Sequence, residues 1–297
     1  MDNVLSLHED LREKTYQHGS YEFFKINDPK PRDIHKASVR DRLVHHAVYK
    51  ILYPHFDRYF IYDSYSCRLG KGTHRAIQRF QIFANKVSRN HHRSAWVLKG
   101  DIRKFFASID HNILKAILKR HIPDDDINWL TSQLIDSFST DGKEGVGLPL
   151  GNLTSQLFVN IYMNEFDQFV KRKLKVKWYI RYADDFVILH ESNDYLKNLV
   201  PLLSDFLEST LKLTLHPDKL FIETCVSGVD FLGWVNFPHH RVPRTSTKRR
   251  IFRKMRKEPS KKSLASYLGI LKHGNAHRLS EELKKSIPTD DSKSQRI

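Results

Sequence analysis

The sequence predicts an α+β fold in which helices cover one face of a mainly antiparallel sheet. Three observations carry that expectation. Two aromatic and β-branched runs, 176–181 and 186–189, flank Tyr182-Ala183-Asp184-Asp185 closely enough to form a hairpin. Around them the order of elements reads strand, helix, helix, hairpin, helix, strand. The helical stretches keep apolar residues at helical spacing, and 297 residues suffice to bury a sizeable core in two or three lobes.

Residues 20–25 and 33–36 read as short extended pieces around the turn Asp28-Pro29-Lys30-Pro31. A helix follows over 39–54, with Leu43, Val44, Ala47, Val48 and Leu52 as its apolar residues. The stretch 63–74 is a loop with Gly70, Lys71 and Gly72, opening a helix over 75–90. Residues 96–102 read as a buried strand, and 110–120 as a helix with Asp110 at its N-cap. After a loop over 141–150 comes a long helix over 153–174, then the hairpin, then a helix over 194–213. Short strands are expected at 220–224 and 231–235, and a short helix over 267–275 stopped by Gly274-Asn275. The lobes are placed at 1–95, 96–240 and 241–297.

A formal charge of +16 and a pI near 9.7 indicate a polyanionic partner, either nucleic acid or an anionic membrane surface. No apolar run reaches the roughly 18 residues of a membrane span, and the acidic start lacks a hydrophobic signal core. Cys67 and Cys225 have no metal-ligand spacing, which fits a reducing cytoplasm. From Arg241 to Lys262 the chain is densely basic, with Glu258 as its one carboxylate. Two readings stand for that run: a solvated helix face, or a docked helix that presents charge to a nucleic-acid backbone, as the spacing of Ile251, Phe252 and Met255 favours.

Asp184 and Asp185 repel each other unless a cation stands between them, and hard divalent ions prefer carboxylate oxygens. Asp101, ending the strand at 96–102, supplies a third carboxylate, with the backbone carbonyl of Ile102 as a further ligand. Three carboxylates around two metals suit in-line phosphoryl transfer, the chemistry of a nucleotide polymerase. Phe106 follows five residues after Asp101. A phenyl ring under the incoming sugar collides with a 2′-hydroxyl, so deoxynucleotides are favoured, while the adjacent Phe105 is assigned to the core.

Asp101-Ile102-Arg103-Lys104-Phe105-Phe106, Gly151-Asn152-Leu153-Thr154-Ser155-Gln156, Tyr182-Ala183-Asp184-Asp185, Leu215-His216-Pro217-Asp218-Lys219 and Phe231-Leu232-Gly233 stand in the order of the reverse-transcriptase motifs. The likeness spans about 21–279 and implies a right-hand polymerase fold with fingers, palm and a short helical thumb. Group II intron and retroviral enzymes tend to carry Gln-Gly followed by Ser-Pro. Here Leu150-Gly151 and Ser155-Gln156 stand instead, a pattern that resembles the reverse transcriptases of bacterial and phage diversity-generating retroelements. Such enzymes copy a template-repeat RNA into error-prone cDNA, the step behind mutagenic retrohoming.

The resemblance implies two Mg²⁺ ions, with Mn²⁺ as substitute, and places Lys30, Arg32, Arg68 and Lys71 at the triphosphate. It gives Leu150 and Gln156 to the nucleotide pocket, and Lys219 to protonation of the leaving pyrophosphate. Phe231, Leu232 and Gly233 would form the primer grip. Leu150 either packs its loop or removes a directional contact that enforces correct pairing. Implied partners are template RNA, the cDNA/RNA duplex, dNTPs and an oligomer of a small basic accessory protein, the accessory variability determinant. No membrane partner is expected, and the location is cytoplasmic. A group II intron-like, retron or antiphage-defence enzyme is the alternative, although an intron enzyme usually carries extensions beyond the thumb. A catalytically inactive RNA-binding protein is the non-enzyme alternative, against which the three carboxylates argue. Most residues of the His pairs 45/46, 91/92 and 239/240 are read as surface or nucleic-acid-facing, without zinc.

Overall fold

A computed structural model describes residues 2–27, 31–140 and 142–285. The chain divides into two compact units, one formed by Met1–Ala76, Leu98–Ile188 and Asn193–Ile222, the other by Ile77–Val97, Leu189–Ser192 and Glu223–Ile297.

Unit 1 opens with α1 (Asp2–Arg12), the antiparallel strands β1 (Glu22–Ile26) and β2 (Arg32–Lys36), and α2 (Val39–Asp57). Ser38 caps α2 by accepting the Asp41 amide. The helix runs past Pro54 because Leu52, Tyr53 and Phe56 are buried together near its end. Its expected apolar face is corrected: Leu43 and Ala47 are exposed, and the buried side carries Val44, Val48 and Leu52 with Asp41 and His45. α3 (Thr73–Val87) begins in this unit and continues into unit 2.

Then come β3 (Trp96–Asp101), a 3-10 turn over Phe105–Ser108, α4 (His111–His121), α5 (Asp125–Asp136) and α6 (Leu153–Gln168). Asp110 caps α4 and Asp124 caps α5 by the same device, a carboxylate accepting the amide three residues on. α6 packs against α2 and α4 and buries Leu157, Phe158, Ile161, Tyr162 and Phe166. Its last turn widens into a π turn, Phe169–Lys173, which keeps Val170 buried. Left-handed Lys175 follows, so the first hairpin strand starts later than expected. The hairpin is β4 (Tyr179–Tyr182) with β5 (Asp185–His190); α7 (Asn193–Leu211) and β6 (Phe221–Thr224) complete the series. The sheet order is β4-β5-β3-β6. Gly100 is required at its centre, since a Cβ there would lie 2.3 Å from the buried Phe186 ring.

Unit 2 contains a three-stranded antiparallel sheet, β7 (Val229–Phe231), β8 (Trp234–Asn236) and β9 (Arg241–Pro243). The single strand expected at 231–235 is in fact a hairpin: Leu232 and Gly233 both take positive φ, 52° and 85°, and turn the chain back. Three helices follow, α8 (Thr245–Lys257), α9 (Lys261–Leu271) and α10 (His277–Lys285). Ile251 and Met255 of α8 are buried with Leu271, Ala276 and Leu283, so the basic side chains of α8 lie around a docked apolar stripe.

Candidate active site

Tyr182 pairs with Asp185, leaving Ala183-Asp184 as a two-residue tip with Ala183 left-handed at φ 55°. That conformation is costly for a residue with a Cβ, so something must hold it. Arg181 does. Its guanidinium is fully buried, and every N–H has a partner. Nε and Nη2 donate to the two oxygens of Asp167 at 2.8 and 2.7 Å, Nη1 to Asn160 Oδ1 at 3.3 Å and to the Ala183 carbonyl at 3.0 Å, and Nη2 to Ser64 Oγ at 3.2 Å. Tyr179 adds a hydroxyl bond to Asp167 at 2.7 Å. The edge of β4 is held too, since the Arg181 amide donates to the Asp63 carbonyl and its carbonyl accepts the Tyr65 amide. Thr73 Oγ1 donates to the Tyr182 hydroxyl at 3.2 Å.

The tip is tied to the end of β3, where the Ile102 amide donates to the Asp184 carbonyl at 3.3 Å. Asp101 is buried there. Its carbonyl accepts the His216 amide and Arg103 donates to the Thr214 carbonyl, so neither bond consumes the carbonyl of Ile102. Lys219, on a 3-10 turn after α7, places Nζ 2.7 Å from Asp101 Oδ1. Burial, and behind it the charge of Asp101, raises the Asp184 carboxyl above its ordinary range. Burial also pushes Asp185 up to about 7, helped by Asp184 and Asp101 and by a hydrogen bond to Asp101, against the pull of Lys99. Three carboxylates thus crowd one place, with Lys219, Lys99 and Arg32 the cations that act on them.

Among the described residues no three His, Cys, Asp or Glu side chains stand as a closed metal-binding set. The donor chemistry nevertheless fits a hard divalent cation. Carboxylates crowded together are stabilised by positive charge between them.

Arg32 on exposed β2 is near enough to favour the charge on Asp184. The Leu150-Gly151-Asn152 segment is bonded along that same strand. Leu150 accepts the His35 amide at 2.9 Å, Asn152 Nδ2 donates to the His35 carbonyl at 2.8 Å, and Asn152 Oδ1 accepts the Ala37 amide at 3.4 Å. Gly151, at φ 117°, brings the loop within contact of Ile34, where a Cβ would lie at 2.8 Å. Leu150 and Gln156 are half-buried. Phe105 is in the core and Phe106 is half-exposed, the two rings meeting edge to face at 5.6 Å.

Two of the cations expected at the triphosphate are engaged within the protein instead. Arg68 is buried and donates to Asp57 and to the Ile61 and Ser64 carbonyls, so its guanidinium closes its own loop and leaves little for a triphosphate. Lys71 lies 3.5 Å over the Tyr62 ring and donates to the Tyr62 carbonyl at 2.7 Å. Lys30 lies outside the described residues. Phe231, Leu232 and Gly233 form the β7–β8 tip of unit 2, with the Gly233 carbonyl accepting the Arg244 amide at 3.1 Å. His45 is corrected from a surface residue to a buried one, bonded to Thr154 at 2.5 Å and to His18 at 3.1 Å.

Sequence reading missed Lys99 and the Arg181–Asp167 pair. Alternation along β3 puts Lys99 on the same side as Asp101, a signal present in the sequence. Nothing local marks Asp167, which sits near the end of α6 and finds its partner only through the fold.

A family model described as reverse transcriptase (RNA-dependent DNA polymerase) matches residues 25–236. The chain belongs to the reverse transcriptase family. This reverse transcriptase is similar to Protein YkfC of Escherichia coli (strain K12), 27% identical over 240 residues, covering 69% of this chain and 62% of that protein. It is also similar to the group II intron-encoded protein LtrA of Lactococcus lactis subsp. cremoris, 25% identical over 280 residues, covering 71% of this chain and 45% of LtrA. Among solved structures, telomerase of Candida albicans with a TWJ fragment of telomeric RNA aligns with a TM-score of 0.59 at 11% identity, covering 93% of this chain and 55% of that one. Apo telomerase of Candida tropicalis truncated from the C-terminal domain gives 0.55 at 13% identity, covering 81% and 58%. These likenesses establish the right-hand polymerase fold. The chain spans less than two thirds of the length of each of these relatives. Among the described residues no helix is long and apolar enough to cross a membrane.

Proposed function

We propose that the chain is an RNA-directed DNA polymerase whose centre is Asp101, Asp184 and Asp185. The observation that carries this is the meeting of the β3 end with the Ala183-Asp184 tip, which crowds three carboxylates around one place beside Lys219. These carboxylates, with the Ile102 carbonyl, would hold divalent ions, Mg²⁺ or Mn²⁺. When bound, such ions activate the attacking 3′-oxygen and stabilise the leaving phosphate oxygens. Arg32 serves the triphosphate as a fork-shaped donor. Lys219, once released from Asp101, is placed to donate a proton to pyrophosphate. Half-exposed Phe106 selects the sugar, and the Phe231-Leu232-Gly233 tip grips the primer. In this reading the lobes are fingers 1–95, palm 96–240 and thumb 241–297, and the site takes template RNA, its cDNA duplex and dNTPs.

Primer extension on an RNA template tests this reading. The wild type extends with dNTPs in Mg²⁺ and discriminates against NTPs, and Phe106→Val admits NTPs; equal use of both by the wild type would remove the gate.

We further propose the diversity-generating branch, working with template-repeat RNA and a small basic accessory oligomer. Its support is Leu150, whose carbonyl is bonded to His35 on β2, the strand that Arg32 opens, while its side chain offers no hydrogen bond. A group II intron-like role accords equally with the likeness to LtrA. Sequencing cDNA from a mixed-base RNA separates the two: errors concentrated at one template base support the first, and even fidelity across all bases contradicts it.

A further inference from the structure

Unit 2 holds a cavity of about 970 Å³ that none of the roles above uses. Its wall is formed by α3, the turn after β8 and the turn after α9. Gln81 Nε2 donates to the Pro238 carbonyl at 2.6 Å, joining the first two segments. The Asn275 amide donates to the Arg241 carbonyl at 2.7 Å, and Arg241 Nε donates to the His273 carbonyl, joining the last two. Gly274 closes the wall, since a Cβ would lie 2.1 Å from the Trp234 ring. The cavity is therefore built by bonds between segments distant in sequence.

No carboxylate stands among its described lining residues. Arg241 and Lys272 supply positive charge, and Gln78 and Asn85 supply amides. His91 and His239 bring two rings to 4.4 Å between centroids. His91 ends three consecutive left-handed residues, with Arg89, Asn90 and His91 at φ 51°, 57° and 70°. Such a run persists only where the surroundings hold it, and Ser88 Oγ accepts the His91 amide at 2.9 Å. Burial and the neighbouring His239 keep the His91 ring below its usual range, and its Nδ1 stands 3.4 Å from Ser88 Oγ, which leaves Nε2 for a ligand. The absence of carboxylates disfavours a cationic ligand. Amides and imidazole rings match a base edge and face, and the two cations match a phosphate.

We propose that this cavity seats an unpaired nucleotide of RNA, with Arg241 and Lys272 at the phosphate and His91, His239 and Gln78 at the base; the choice of RNA rests on the RNA-directed reading above. The test uses the full chain and fluorescence anisotropy with two probes, an unpaired RNA of about a dozen nucleotides and an abasic ribose-phosphate chain of equal length. Gln78→Ala/His239→Ala weakens binding of the RNA about tenfold and leaves the abasic chain unchanged. Lys272→Ser weakens both. Extension of a short pre-annealed primer-template stays at the wild-type rate in the double variant. Undiminished RNA binding by that variant, or equal losses for RNA and abasic chain, overturns the proposal. Should the wild type extend no primer, the polymerase reading fails by itself, while the two binding probes still decide the cavity.

Discussion

Two neighbourhoods separated by three residues treat buried charge in opposite ways. At Arg181, each guanidinium N–H meets an oxygen, and Asp167 matches the charge with both its oxygens. At Asp184 and Asp185, like charges converge with Asp101, and burial raises the proton affinity of the two hairpin carboxyls. The first neighbourhood is closed and offers nothing to a ligand. In the second, Lys219, Lys99 and Arg32 do not offset the burial and mutual repulsion that raise Asp184 and Asp185. One hairpin thus separates stability from reactivity, with the matched pair fixing the backbone on which the unmatched carboxylates ride.

The largest effect is expected where the unmatched side is removed. Asp184→Ala/Asp185→Ala should lower primer extension by about a thousandfold or more without lowering the melting temperature; retained synthesis would break the comparison at its functional end. On the matched side, Arg181→Met strands the Asp167 carboxylate in the core. Thermal unfolding should report a loss of about 3–5 kcal/mol. The double variant Arg181→Met/Asp167→Leu should recover much of it, and no recovery would mean that the pair is not acting as a pair.

His45 shows a third treatment, in which a buried group avoids charge. Burial and the neighbouring His18 lower its ring to about 4 from its ordinary 6.5. The unfolded chain therefore binds a proton in that window while the folded chain does not, and stability falls as pH drops from about 6.5 to about 4. Melting curves across this window should lose up to about 3 kcal/mol in the wild type and less in His45→Gln. Gly100→Ala should cost about 1–3 kcal/mol by driving a methyl into Phe186, read by denaturant titration. The smallest change is Ala183→Gly, which relieves the left-handed tip and should stabilise by less than about 1 kcal/mol. A destabilisation would mean that Arg181 does not impose that conformation.

Much of this was legible in the sequence where local chemistry decides. The β3 strand, the Asp110 cap, the Asp-Asp hairpin and the amphipathic α8 follow from alternation, capping and periodicity. α5 carried a capping carboxylate at Asp124 and went unread, as did α1, β9 and α10. The turn at Leu232 was hidden because a leucine rarely takes positive φ. Arg68 carried the opposite lesson. Its position suggested phosphate, but Asp57 and two carbonyls, contributed by the preceding helix and loop, engage its guanidinium first. Residues whose role depends on a distant partner, such as Asp167, Arg181 and Asn152, left no mark that a local pattern could read.

The Arg181 cluster also bears on the order of events during synthesis. It joins Ser64, Asn160 and Asp167 to the hairpin, with a sequence separation of 117 between Ser64 and Arg181. Closing so long a loop is entropically late. A nascent chain therefore makes its helices early but cannot set the carboxylate tip until the hairpin has emerged and found Ser64. Setting the carboxylate tip is thus coupled to a contact between segments far apart in the chain, and no local segment can make it alone.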